Sequence, residues 1–130
     1  MPLPIYHLVA GLPKPVSPSS HAVESEGWVF LTGSFPRDLA NPDAPFPAGI
    51  AAQTERTLGN MARTLAGLGL TFRNLVSVRV FLTSFTRDYA DMNQVYARLL
   101  GDAQPARTCV GVTDLVRGAL IEIDGIARRP

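Results

Sequence analysis

The sequence is poor in the residues that build disulfides and metal sites. It has one cysteine, Cys109, and two histidines, His7 and His21. A lone cysteine cannot form an intramolecular disulfide, and no CxxC or HxxxH pair places two ligands at zinc spacing. We therefore expect no structural metal site.

Lysine is equally scarce, and no basic block is present. Lys14 is the only lysine, and the 12 Lys+Arg against 11 Asp+Glu give a formal net charge of +1. Nothing in this pattern offers phosphate groups a continuous basic surface, so nucleic acid is not an expected partner. Arg128 and Arg129 are typical of a solvated tail.

Long apolar runs are missing as well. No stretch of about 18 apolar residues predicts a membrane span, and residues 1–15 lack the basic and apolar regions of a signal peptide. We expect a cytoplasmic protein with no membrane partner. A chain of 130 residues predicts one domain over 1–130.

Segments rich in β-branched and aromatic residues predict the first strands. One strand is expected in 5–9, and a hairpin over 21–31 with its turn at Glu26 and Gly27. The prolines of 35–47 interrupt any hydrogen-bonded ladder and predict a surface loop of the kind that often borders a site.

Two amphipathic helices follow from apolar residues at helical spacing. The first is predicted over 48–67, and the second begins at a Thr86 cap and ends near Gly101. The apolar positions of the first helix are Ile50, Leu58, Met61, Leu65 and Leu68.

Three further strands are predicted at 75–82, 107–112 and 119–126, with Val76 and Val78 sharing a buried face. The resulting order, ββ-α-β-α-ββ, predicts an α+β fold with both helices on one face of the sheet. The other face needs cover, which either a partner chain or an untyped segment could supply.

Arg107 and Glu122 are the candidates for chemistry. An arginine at the mouth of a strand can hold a carboxylate through two parallel hydrogen bonds, and a lone carboxylate in an apolar strand is paired or functional. The alternatives are a surface cation and a solvated acidic face shared with Asp124, and spacing alone favours these. Cys109 shares a strand face with Arg107, although a buried cysteine is usually inert packing.

Several segments of the chain together resemble the RidA/YjgF family of reactive-intermediate deaminases. The resemblance is most specific where PARTCV is followed at the right distance by LIEI, and Gln53, Leu58 and Asn60 also match the family's first helix. The matching segments, in family order, are 17–23 (SPSSHAV), 29–33 (VFLTG), 92–96 (MNQVY), 105–110 (PARTCV) and 120–123 (LIEI).

This resemblance implies a chorismate-mutase-like two-layer fold, with one mixed sheet carrying two helices on one face. It also implies a homotrimer whose sheets form a central barrel, which would cover the bare sheet face. The site would lie in clefts between subunits, with Arg107 binding a substrate carboxylate and Glu122 handling a water. Gly33 and Cys109 match positions that line the same cleft.

The implied reaction is hydrolysis of a 2-imino or enamine acid to a 2-oxo acid and ammonia. Arg107 would anchor the carboxylate and draw charge from the adjacent carbon, while Glu122 would orient water and return a proton to nitrogen. An iminium already reacts with water, so the resemblance implies a hydrolase that requires neither metal nor organic cofactor.

The chain departs from the family's pattern at two places. Ser19 stands where the best-known members have tyrosine, which predicts a larger or more polar cleft that Ser19 can still line. Val116 replaces a common proline and is expected to loosen the connector before the last strand. Thr32, where serine is frequent, is a milder change.

Two residues keep competing interpretations. Asn93 matches a polar family position near the cleft, but it fits a helix-surface amide or an internal hydrogen bond equally well. His21 is interpreted as part of the strand surface, not as a general base.

A second hypothesis competes with catalysis. A trimer of the same fold could use the Arg107 cleft to bind a small carboxylate without turning it over, and the altered wall at Ser19 favours this reading. A ribonuclease, the third hypothesis, is disfavoured by the near-neutral charge.

Overall fold

The computed structural model describes residues 2–130 and has the predicted α+β fold. Two helices accompany one mixed sheet of six strands. The elements in chain order are β1 (Ile5–His7), β2 (Ala22–Ser25), β3 (Trp28–Ser34), α1 (Ile50–Gly67), β4 (Leu75–Leu82), α2 (Phe85–Leu100), β5 (Ala106–Gly111) and β6 (Ile121–Arg128).

The strands lie side by side in the order β1-β2-β3-β6-β4-β5. Every neighbouring pair is antiparallel except β4 and β5, which are parallel. A parallel pair needs a crossover connection, and α2 supplies it. β5 is the last strand in this order and forms an edge of the sheet, and α2 precedes it along the chain.

The hairpin turn at Glu26 and Gly27, the irregular loop over 35–47 and both helices are confirmed. Two details differ: the predicted order ββ-α-β-α-ββ counted two strands before α1, whereas the strand in 5–9 and the hairpin make three, and Thr86 is not the cap of α2. Ser84 holds that position, and its side chain makes no capping hydrogen bond. Within residues 2–130, no helix is long and apolar enough to span a bilayer.

A β-bulge corrects one prediction about β4. The pairing of β4 with β6 slips between Leu75 and Ser77, which leaves Val76 without a partner in the register. A bulge turns the following side chains to the other face, so strict alternation fails there. Val76 is 43% exposed, whereas Val78 is buried, and the prediction that they share a face was wrong.

The core lies between the helices and one face of the sheet. All five apolar positions predicted for the first helix are buried, and the inward residues of β4 and β6 meet them. Fully burying such a side chain stabilises the fold by about 1.5–3 kcal/mol. The opposite face of the sheet carries exposed apolar side chains, namely Trp28, Phe30, Val76 and Val110.

Gln53 fixes the last strand to the first helix. It is a polar residue of the first helix, yet it is buried, and its amide makes two hydrogen bonds to backbone. Nε2 donates to the carbonyl of Pro47 at 2.9 Å, and Oε1 accepts from the amide of Leu120 at 2.8 Å. One side chain thus positions both the end of the proline-rich loop and the start of β6.

Replacing this amide tests its structural role. We expect Gln53→Leu to lower the free energy of unfolding by about 1–3 kcal/mol, because it leaves two backbone groups without partners. Urea denaturation at fixed protein concentration measures the change. Glu55→Leu, on the exposed side of the same helix, is the matched control; equal losses in the two variants would contradict this role.

Candidate functional site

Arg107 lies on β5, on the side of the sheet that faces α2. It aligns with buried Val78 of β4, and residues aligned in neighbouring strands point to the same face. Its Nη1 donates to Oδ1 of Asn93 at 2.7 Å, and Nη2 donates to the hydroxyl of Tyr89 at 3.4 Å. The Tyr96 ring lies beneath the guanidinium, 4.8 Å from ring centroid to Cζ.

These neighbours orient the guanidinium without neutralising it. No carboxylate within residues 2–130 forms an ion pair with Arg107. An amide oxygen and an aromatic face satisfy a cation only partly, and they leave the charge available to a ligand carboxylate. Of the two interpretations of Asn93, the internal hydrogen bond is the one observed.

Cys109 follows on the same face of β5, aligned with Val80, and packs against the core. Burial raises the pKa of its thiol, although the nearby Arg107 acts in the opposite direction. The thiol form is the unreactive one. Cys109 therefore lies beside Arg107 as a neutral wall residue.

Glu122 occupies the opposite face of the sheet. It aligns with Phe81 of β4 on the side away from the helices. Burial, and to a lesser extent the charge of Asp124, raises the pKa of this half-buried carboxyl. Asp124 itself binds Arg79 side-on at 3.0 and 2.6 Å, whereas Glu122 has no ion pair within the described part of the chain.

A second bulge brings the backbone of β3 against this carboxyl. The register of β3 and β6 shifts between Leu31 and Ser34, a stretch that contains Thr32 and Gly33. A Cβ at Gly33 would collide with Oε2 of Glu122. Any larger residue would therefore displace the carboxyl from this position.

Glu122, Gly33 and Thr32 line a cavity of about 320 Å³. The remaining lining comes from the loops before β2 and after β3, from α1 and from Val116. Thr32 is held through its hydroxyl, which donates to the carbonyl of Ser20. Thr32 and Gly33 are the two predicted substrate-binding residues that lie beside Glu122.

His21 also lines this cavity, but its ring is occupied by backbone. Nδ1 accepts from the amide of Val9 at 2.8 Å, which leaves Nε2 to donate to the carbonyl of Pro13 at 2.8 Å. The interpretation of His21 as strand surface is corrected, since the ring fastens the preceding loop.

Ser19 is exposed and lies outside the lining of the cavity. Its hydroxyl is 2.9 Å from that of Ser17, which does line the cavity. In the single chain the two serines lie at the rim of this cavity, and Ser19 is the position that matches the family's tyrosine.

The predicted residues thus form two groups that one chain does not bring together. Arg107 and Cys109 face α2, which carries Asn93, whereas Glu122 and Gly33 face the other way. Two strand spacings across and three residues along the sheet separate Arg107 from Glu122, about 14 Å between Cα atoms. A small substrate cannot contact both from the same chain.

Three residues were given no role in the site from the sequence. Tyr96 was only part of the matching segment 92–96, and Arg37 was only part of the proline-rich loop. Asn60 was noted as a family match, and its amide fixes that loop by donating to the carbonyls of Phe35 at 3.0 Å and Arg37 at 2.8 Å. For Arg37, the one signal available in the sequence was the presence of an arginine in a proline-rich loop.

Nowhere within residues 2–130 do three or more His, Cys, Asp or Glu side chains converge as metal ligands would.

Comparisons with known proteins match most of the chain. Residues 10–129 match the family model described as Endoribonuclease L-PSP. The protein DfrA of Myxococcus xanthus is 39% identical over 117 residues, 88% of each chain. The 3-aminoacrylate deaminase RutC of Acinetobacter baylyi is 33% identical over 120 residues, 92% of this chain and 94% of that one.

Solved structures show the same fold. The YjgF gene product of E. coli is 26% identical with a TM-score of 0.86, covering 95% of this chain and 99% of that one. A member of the Rid family from Yersinia pestis, YyfA, is 27% identical with a TM-score of 0.90, covering 98% and 100%. With these matches and the match along most of its sequence, the chain belongs to the RidA/YjgF family, whose members include imine and enamine deaminases.

Proposed function

We propose that this protein hydrolyses reactive 2-imino and enamine acids to 2-oxo acids and ammonia, in clefts where two copies meet. Relatives named as deaminases of 3-aminoacrylate and of 2-iminobutanoate and 2-iminopropanoate, 33% and 30% identical, support the reaction class. The observation that carries the proposal is the pair of half-sites, an arginine and a glutamate that lie on opposite faces of one sheet and make no ion pair within residues 2–130.

The copies associate through the bare sheet face, as the homotrimer of this family would. Trp28, Phe30 and Val76 are 41–46% exposed on that face, and removing such a patch from water favours association. In this assembly the β5 edge of one subunit, with Arg107, meets the Glu122 cavity of the next.

Arg107 is the anchor for the substrate carboxylate. A guanidinium offers two parallel N–H donors to a carboxylate, and Asn93 and Tyr96 fix its plane before the substrate arrives. Its charge also draws electrons from the adjacent imine carbon, which makes that carbon a better electrophile.

Glu122 moves the protons. Starting from the iminium, the carboxylate takes a proton from water as the water oxygen adds to the carbon, and the double-bond electrons become the lone pair of the amino nitrogen. Glu122 then gives that proton to the nitrogen of the carbinolamine, the C–N bond breaks to release ammonia, and the hydroxyl proton goes to solvent as the C=O bond forms. Burial raises the pKa of Glu122, which favours the protonated form more than in an exposed glutamate and helps a group that must alternate between the two forms.

The reaction is redox-neutral, and water supplies the only added atoms. We therefore propose that the reaction needs no cofactor. The iminium is already electrophilic, so a positioned cation and one proton-transfer group are enough to hydrolyse it. General acid-base help of about 10²–10⁴-fold is the contribution expected of Glu122.

The direct test follows release of 2-oxo acid after an amino-acid oxidase has generated the imino acid in the same cuvette. Wild-type protein is expected to accelerate the release. Arg107→Ala and Glu122→Gln should each lower kcat/KM by about 10²-fold or more, as loss of an anchor or a general base does.

Arg98→Ala is a matched control, since this arginine pairs with Glu55 on the outer helix surface. It should retain the wild-type rate. Failure of the wild-type protein to accelerate any imino acid would contradict the proposal, and tight binding of a 2-oxo acid without turnover would favour the non-catalytic carboxylate binder instead.

The acid limb of the pH profile depends on Asp124. The negative charge of Asp124 raises the pKa of Glu122, so Asp124→Asn should lower that pKa. The carboxylate form then persists to lower pH, and the acid limb of kcat/KM should shift to lower pH. Profiles recorded for wild type and variant measure the shift; a shift to higher pH would contradict the role of Glu122 as base.

A further inference from the structure

The cavity that Glu122 lines continues to an arginine with no assigned role. Arg37 lies in the proline-rich loop after β3 and lines the same space of about 320 Å³. Arg37 and Glu122 do not form an ion pair with each other. Open space therefore lies between a cation and the carboxyl that handles water.

Arg37 is fixed at two points. Asn60 of α1 donates to its carbonyl at 2.8 Å, and its own Nη1 donates to the carbonyl of Lys14 at 2.8 Å. A helix side chain and a neighbouring loop thus hold both the backbone and one end of the guanidinium. Such anchoring reduces the rotamer entropy that binding a ligand would otherwise cost.

The other edge of the guanidinium has no partner among the described residues. Nε of Arg37 is buried without a hydrogen bond, and Nη2 makes none within residues 2–130. A buried donor left without a partner costs free energy, so the empty edge indicates a partner from outside the chain.

Other arginines of this protein show what that edge binds. In three of them the Nε and Nη2 donors hold both oxygens of a carboxylate, at distances of 2.6–3.1 Å. These pairs are Arg79 with Asp124, Arg87 with Asp88, and Arg129 with Glu24.

We propose that Arg37 binds a second carboxylate at the far end of the substrate, so that the protein's substrates are 2-imino dicarboxylic acids. This inference rests on the proposed function of the cleft, with Arg107 of one subunit holding the first carboxylate beside Glu122 of the next. Nε is closed off from solvent, so presenting both donors to the ligand requires the guanidinium to rotate about its Nη1 hydrogen bond to Lys14.

The size and polarity of the cavity agree with this substrate class. About 320 Å³ is at the lower end of the range for organic ligand sites, roughly 300–1,000 Å³. It leaves room beyond Glu122 for several carbon atoms. Much of the remaining lining is apolar and suits a methylene chain, namely Leu12, Pro13, Val16, Leu39 and Val116.

Calorimetric titration of two 2-oxo acids of equal chain length tests the proposal. 2-Oxoglutarate carries a distal carboxylate, and 2-oxopentanoate ends in a methyl group. We expect wild-type protein to bind 2-oxoglutarate about 10- to 100-fold more tightly, the usual effect of one charge-assisted pair. Arg37→Gln should abolish this preference, so that the two acids bind with similar affinity.

Two further variants separate charge from loop structure. Arg37→Lys should keep part of the preference, since it keeps the charge but loses the planar fork. Arg117→Gln removes an arginine that holds the same loop through the carbonyls of Pro42 and Ala44, both at 2.9 Å, but lies outside the cavity lining. It should keep the full preference.

The outcomes also distinguish this inference from the proposed function. Equal affinities in wild type, a preference that survives Arg37→Gln, or no binding of 2-oxoglutarate would each overturn the role of Arg37. Loss of deaminase activity alone would not, because the titration needs no turnover. A preference for 2-oxoglutarate without catalysis would overturn the proposed reaction and retain Arg37 as the second carboxylate site.

Discussion

The site depends on the placement of Arg107 and Glu122 on opposite faces of the sheet, with β4 between their strands. Parallel pairing aligns Arg107 with Val78 of β4, and antiparallel pairing aligns Glu122 with Phe81 of the same strand. Val78 and Phe81 point to opposite faces, so their register places the two charged side chains on opposite faces of the sheet. Neither finds an ion partner within residues 2–130. A charge held half-buried without a partner is costly, and a ligand or a second subunit that supplies one gains that free energy.

The rest of the fold supports the two half-sites by different means. On one side, the crossover helix α2 carries Asn93 and Tyr96, and they orient the guanidinium. On the other side, a bulge in β3 and the absence of a side chain at Gly33 let the backbone approach the carboxyl of Glu122. The proline-rich loop, fixed to α1 by Asn60, closes the cavity around that carboxyl. Bulges and loops of this kind are common beside active sites because they re-aim side chains that regular strands would not.

The fold could be predicted from the sequence because its periodicities are strong. Apolar spacing predicted α1 and its five buried positions, and strand parity predicted that Cys109 and Arg107 share a face. Strand parity gave the wrong face for Val76, because a bulge breaks the alternation there. Helix spacing did not indicate that Gln53 is buried, because its burial depends on hydrogen bonds to backbone groups of other segments. The family resemblance grouped Arg107 with Glu122, but the faces they occupy depend on strand order, which local pattern does not encode. Arg37 was missed because its role depends on a cavity between distant segments.

The most direct test of this account is complementation between inactive subunits. Arg107→Ala and Glu122→Gln chains would be unfolded together, refolded as a mixture and assayed against each variant refolded alone. If each cleft takes Arg107 from one subunit and Glu122 from the next, random mixing restores intact clefts, and about a quarter of the wild-type rate should return. A mixture no more active than the separate variants, although mass spectrometry shows mixed oligomers, would contradict the account, because both residues would then act from the same chain.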